Sequence, residues 1–266
     1  MRAYTAPCVP WIVVAGVLLG PVAALAEQGI AIDEDLRVNA EALPVTMARQ
    51  KLFKVGDFRF GDYAIVASKM GASHEDDTTL FVNVLAHSDA AERFSFVMKG
   101  AGPETASVKA KFSTESGPLK RYELLPGVSV GAGELSGSID RLDGEVVVDG
   151  GAQPPWRLHL RVKRNVAGVD EKAGASSLSN GTRTVDIVDV ASVGADGAPE
   201  AIPARGYQFV EGGRALAALQ FYGGGHPTSH QGMVVYLRSD LDAETKLTLA
   251  AAMTAILQAK DSASHH

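Results

Sequence analysis

The sequence predicts a mainly β protein: an antiparallel β-sandwich or barrel-like sheet with a C-terminal α-helix packed on a short meander. Three observations predict it. Apolar residues recur at every second position over long stretches, turn signals rich in Gly and Pro separate these stretches, and a helical period is sustained only near the C-terminus. A chain of 266 residues that is 46% hydrophobic and 21% charged buries enough surface to offset its chain entropy, which excludes disorder. Its single Cys excludes a disulfide scaffold.

The first 26 residues read as a cleaved export signal. Arg2 supplies the positive end, Trp11 to Leu19 the apolar core, Gly20-Pro21 a break, and Ala24-Leu25-Ala26 the small-x-small cleavage site, so cleavage is expected between Ala26 and Glu27. Cys8 precedes the apolar core and is therefore not a lipid-attachment site. Removal of the segment leaves 240 residues without a thiol and takes one basic residue from 25, giving a net charge of −7 against −6 for the whole chain. Such a protein depends on an ordinary core for stability, and its acidity argues against general affinity for nucleic acid or anionic lipid. The expected destination is the periplasm or the medium, with no integral membrane segment in the mature chain.

Residues 27–47, which include Asp33-Glu34-Asp35, are expected to form an irregular acidic lead-in, followed by an antiparallel β region over 48–164. Phe58 and Phe60 flank Arg59, and Gly61-Asp62 interrupts the pattern before Tyr63 to Val66 resumes it. Leu80 to Ala86 is apolar on both faces apart from Asn83, as in a central strand. Phe94/Phe96/Met98, Val108/Ala110/Phe112 and Trp156/Leu158/Leu160/Val162 alternate with polar partners, as half-buried strands do. Residues 165–182 read as a loop or linker. Residues 183–266 read as a meander, Val185 to Val190, Tyr207 to Val210, Ala215 to Tyr222 and Met233 to Leu237, plus a helix from Ala243 to about Lys260; this part is compatible with one domain shared with 48–164. The helix is expected to be capped by Asp240 or Asp242 and to carry one apolar stripe, Leu249, Met253, Ile256 and Leu257.

The chemistry-bearing patterns are few. Gly127-Val128-Ser129-Val130-Gly131 matches G-x-S-x-G, but a nucleophile elbow needs a following helix, and the glycine-rich residues 132–138 do not form one; a strand or bulge is the better reading. His226 and His230, in a glycine-flanked loop, are candidate metal ligands that lack a third partner nearby. His74, Glu75, Asp76, Asp77, His265 and His266 are the available donors, and the acidic run itself reads as a solvated hairpin tip. Finally, Arg157, Arg161 and Lys163, with His159 between them, project from one face of a strand about 6.6 Å apart, a candidate anion-binding row. An antiparallel neighbour at Glu145 to Asp149 would set Asp149 opposite Arg157 and Glu145 opposite Arg161, neutralising much of it. That face carries no aromatic side chains for base stacking, so single-stranded nucleic acid is not an expected partner.

These readings combine into an exported cell-envelope or secreted protein that acts as a non-catalytic binding or structural module, needs no cofactor, and meets an envelope component or other ligand. Two alternatives remain at this level: a carrier of apolar small molecules, if strands enclose an unfilled interior, and a secreted metal-dependent hydrolase using His226 and His230.

Overall fold

The computed structural model describes residues 29–48, 55–71, 90–115, 122–125, 128–130, 138–164, 170–172, 174–193, 203–222 and 232–263. In chain order the elements are α1 (Glu34–Asn39), β1 (Ala40–Pro44), β2 (Thr46–Ala48), β3 (Asp57–Phe60), β4 (Tyr63–Met70), β5 (Ala90–Lys99), β6 (Thr105–Glu115), β7 (Tyr122–Leu125), β8 (Val128–Val130), β9 (Ser138–Val148), β10 (Trp156–Arg164), β11 (Asp170–Lys172), β12 (Ser176–Ser179), β13 (Thr184–Ala191), β14 (Arg205–Glu211), β15 (Arg214–Tyr222), β16 (Val234–Arg238) and α2 (Ala243–Ala263). Period-two alternation shows in the burial: Phe94, Phe96 and Met98 are buried on β5, and Trp156, Leu158, Leu160 and Val162 on β10.

Except for β7 and β8, which pair with each other, the strands form one antiparallel sheet in the order β1-β16-β15-β14-β13-β12-β10-β9-β6-β5-β4-β3-β2, with β11 pairing β10 at the side. Its two outermost strands are consecutive in the chain. β1 pairs with β16 and β2 with β3, separated only by Val45, whose N–H donates to Met233 O at 2.9 Å. One stretch of backbone thus serves both edges, and the sheet curls into a nearly closed barrel.

The last helix lies within that curl. It touches β15 and β16 of the meander, as the small side chain of Ala217 permits, and also β5, β6 and β9 on the other side. Every residue from Leu247 to Ala259 is buried, and Ala250, Ala251, Ala252, Met253, Thr254, Ala255 and Ile256 are 0% exposed. The single apolar stripe expected from sequence is therefore part of a helix buried all round. Three of its polar side chains find partners there: Thr248 and Thr254 donate to Glu244 O and Ala250 O, and Gln258 accepts from Gly56 N–H at 2.9 Å. Asp242 caps the helix, accepting from Thr245 N–H at 2.7 Å and from its hydroxyl at 2.8 Å. Burial pushes the Asp242 carboxyl up, but these hydrogen bonds outweigh it and leave the group below its ordinary value.

The lead-in differs from the irregular segment expected. Asp33 accepts from Asp35 N–H and Leu36 N–H and so starts α1, and Leu36 is fully buried with Ile30, Ala204, Ala215 and Ala218 on the outside of the meander. Leu43 and Val45 then join the main core. Residues 165–182 likewise contribute β11 and β12 to the sheet. The expected export signal at residues 1–26 and the expected strand at Leu80 to Ala86 lie outside the described residues. Among those that are described, no helix is long and apolar enough to cross a membrane.

Candidate functional site

The basic row expected on β10 is present, but its neighbours are not the expected ones. β9 runs from Ser138 to Val148, and the seven residues between Val148 and Trp156 form the connection. Pro154 and Pro155 cannot donate to a ladder, and Asp149 turns away to β6, where its N–H bonds Thr105 O at 2.8 Å and its carboxylate accepts from the Thr105 hydroxyl at 2.9 Å. The hairpin register consequently sits four residues from the expected one. Arg157 faces Glu145, His159 faces Asp143, Arg161 faces Arg141, and Lys163 faces Ile139.

The charges of β10 extend a pattern that crosses the whole outer face. β6 pairs with β9 so that Lys109 faces Glu145 and Lys111 faces Asp143, and β5 pairs with β6 so that Ser95 faces Lys109 and Arg93 faces Lys111. On β4, Lys69 faces Ser95. Between them runs a shallow open trough of about 730 Å³, passing over the backbone where Phe94, Ala110 and Leu158 turn their side chains inward. Gly144, facing Ala110 and Leu158, belongs to the same lining.

Five cations reach this trough, Lys69, Arg93, Lys109, Lys111 and Arg157, together with two carboxylates, Asp143 and Glu145. All seven are exposed. Asp143 is engaged by His159 Nδ1 at 2.7 Å. Among the described residues none of the five cations closes an ion pair within 4.0 Å, although Glu145 lies opposite both Lys109 and Arg157. The trough thus carries an excess of three positive charges with His159 neutral, on a chain whose net charge is −6. Arg157 belongs to it. Arg161 and Lys163 lie outside: Arg161 faces Arg141, which itself approaches Glu115 at 3.5 Å, and its backbone N–H donates to Ser176 Oγ at 3.1 Å. The cations missed in the sequence are those of β4, β5 and β6, whose assignment to the same face depends on strand order. Their alternation with buried residues is the signal that carries them.

A second group of charges gathers at the mouth of the barrel near the start of α2. Arg183 pairs bidentately with Glu211, at 2.8 and 2.7 Å, and lies 5.3 Å from the centroid of the Trp156 ring. The hydrogen-bonded guanidinium holds the Glu211 carboxyl below its ordinary range against the opposing effect of burial. Glu244, in the first turn of α2, accepts from Ala152 N–H at 3.1 Å and Gln153 N–H at 2.9 Å, tying the β9–β10 connection to the helix. These groups are mutually satisfied and serve the architecture.

Of the remaining sequence candidates, Ser129 lies in β8, opposite Glu123 of β7, in a two-stranded ribbon. A strand at that serine is not the strand-to-helix turn of a nucleophile elbow. His226 and His230, and with them His74 to Asp77, His265 and His266, lie outside the described residues. Among those described, no group of three or more His, Cys, Asp or Glu side chains is placed to hold a metal ion. Compared with protein families, curated proteins and solved structures, the chain finds no match in any of the three.

Proposed function

We propose that the chain is an exported, non-catalytic binding module of the cell envelope or the surrounding medium, and that it engages an anionic ligand on the outer face of its barrel. The observation that carries this reading is the set of five cations in one trough with, among the described residues, no ion pair to neutralise them. Exposed cations held at fixed spacing by a sheet attract an anion without the ordering cost that flexible loops would add. The barrel axis is occupied by α2, which favours an outer over an inner binding surface. Export rests on residues 1–26, whose basic start, apolar core and small-x-small end are those of a cleavable signal.

Retention on heparin or lipopolysaccharide resin tests the binding surface. Lys109→Ala/Arg157→Ala elutes at lower salt than the parent protein, because two of the five cations are gone and such contacts weaken with ionic strength. Equal elution of the two proteins overturns the reading. Intact mass of the protein recovered from a periplasmic extract tests export: the mature chain begins at Glu27, and recovery of the uncleaved chain solely from the cytosol refutes it.

A further inference from the structure

The trough is divided by sign, and the division points to the kind of ligand. On its β4–β5–β6 side, Ser95 lies between Lys69 and Lys109 in the ladder, and the next row of the same face sets Arg93 directly against Lys111. Like charges in facing positions repel, and on this side of Lys109 and Lys111 the facing residues are Ser95 and Arg93, the carboxylates lying across the ladder on β9. Four cations around one hydroxyl form a place where a dianionic tetrahedral group would be met by donors from several directions.

The adjoining strand, β9, reverses the sign, and Arg157 of β10, facing Glu145 from the far side, restores it at the rim. Asp143 and Glu145 of β9 lie one strand spacing, about 4.8 Å, from Lys111 and Lys109. Asp143 is committed to His159, whereas Glu145 is exposed and closes on neither of its cationic neighbours. A purely anionic ligand lying across both halves would gain on one side and be repelled on the other. A ligand with a phosphoryl group beside an ammonium meets both halves with the opposite charge.

Resting on the anion-binding reading above, we infer that the trough recognises a phosphoethanolamine-type group, its phosphoryl oxygens among Lys69, Arg93, Ser95, Lys109 and Lys111 and its ammonium at Glu145. Such a group exists on lipid headgroups and on soluble phosphoesters, and the two sources are separable by experiment.

Binding of soluble O-phosphoethanolamine and of inorganic phosphate is measured by NMR titration, and binding to phosphatidylcholine vesicles with and without phosphatidylethanolamine by co-sedimentation. O-Phosphoethanolamine is expected to bind about threefold more tightly than phosphate, the scale of one exposed ion pair. Glu145→Gln abolishes that preference while keeping phosphate binding, and Lys109→Ala/Lys111→Ala weakens both. Gain of vesicle binding on adding phosphatidylethanolamine, without binding of the soluble ester, assigns the lipid source; the reverse assigns the soluble one. Equal affinity for phosphate and O-phosphoethanolamine, with no gain from phosphatidylethanolamine, overturns the inference and leaves the anion-binding reading standing. The anion-binding reading falls separately, through the unchanged heparin retention described above. Unchanged melting temperatures of the surface variants confirm that each result reports binding.

Discussion

Gly206 shows how much a single hydrogen atom can decide. It sits beside the register shift between Arg205 and Gly206 in the β14–β15 pairing, and a Cβ there would stand 2.1 Å from Leu219 O and 2.9 Å from Ile30 Cδ1. The oxygen belongs to the neighbouring strand's backbone and cannot rotate aside. Gly206→Ala must therefore open the ladder or expel Ile30 from its small outer cluster, at a cost of about 1–3 kcal/mol or more. Chemical denaturation reads the cost directly, and an unchanged midpoint contradicts it. Nothing in the sequence marks Gly206, because one Gly among 28 acquires meaning only when the strand facing it is known. Asp33 was more legible: an Asp-Glu-Asp run ahead of Leu36 is the composition of a helix start, yet six residues are too few for a helical period to show.

At the scale of elements, strands were legible wherever one face is buried and the other wet, as in β5, β6 and β10. Pairing was not. The β9–β10 register moved by four residues because Asp149 bonds β6, an influence from outside the hairpin. α2 was found by its period but its surroundings were not, since its Ala, Thr and Gln residues lie off the expected apolar stripe and here fill a closed interior. Ala251 lies on the side of α2 opposite the Leu249/Met253/Ile256 stripe and is 0% exposed, so Ala251→Leu is expected to destabilise by about 1–3 kcal/mol through overpacking, against near neutrality if that side were wet. Equilibrium unfolding in urea distinguishes the two. The join between α1 and the meander adds a pH dependence. Arg238, with a side chain only 5% exposed, is bonded by Asp240 and Asp35, and Asp240 also takes Arg214. The guanidinium hydrogen bond from Arg238 holds the Asp240 carboxyl at about 2. A carboxyl lowered by folding contributes its full stability above the unfolded value of about 4 and loses it as pH falls towards 2. Thermal unfolding followed from pH 5 to pH 2 should show a steeper loss in the parent than in Asp240→Asn, and parallel profiles would contradict this origin.

Over the whole molecule, the mainly β class followed from composition and periodicity, whereas closure did not, because it depends on one chain segment serving two strands that are distant in sequence. The trough has the same origin. Its cations come from β4, β5, β6 and β10, and strand order alone assembles them. The enclosed helix has a further consequence, for the order in which the molecule can be built. α2 follows every strand in the chain, yet it fills the space those strands surround, and the β1–β2 segment at the other end supplies the closing pairs. Early strands can form hairpins as they emerge, but they have nothing to condense around until the helix arrives. Completion therefore waits on contacts between distant parts of the sequence, a topology that slows folding. On the export proposed above, that delay would keep the polypeptide threadable in transit until its final element has come through.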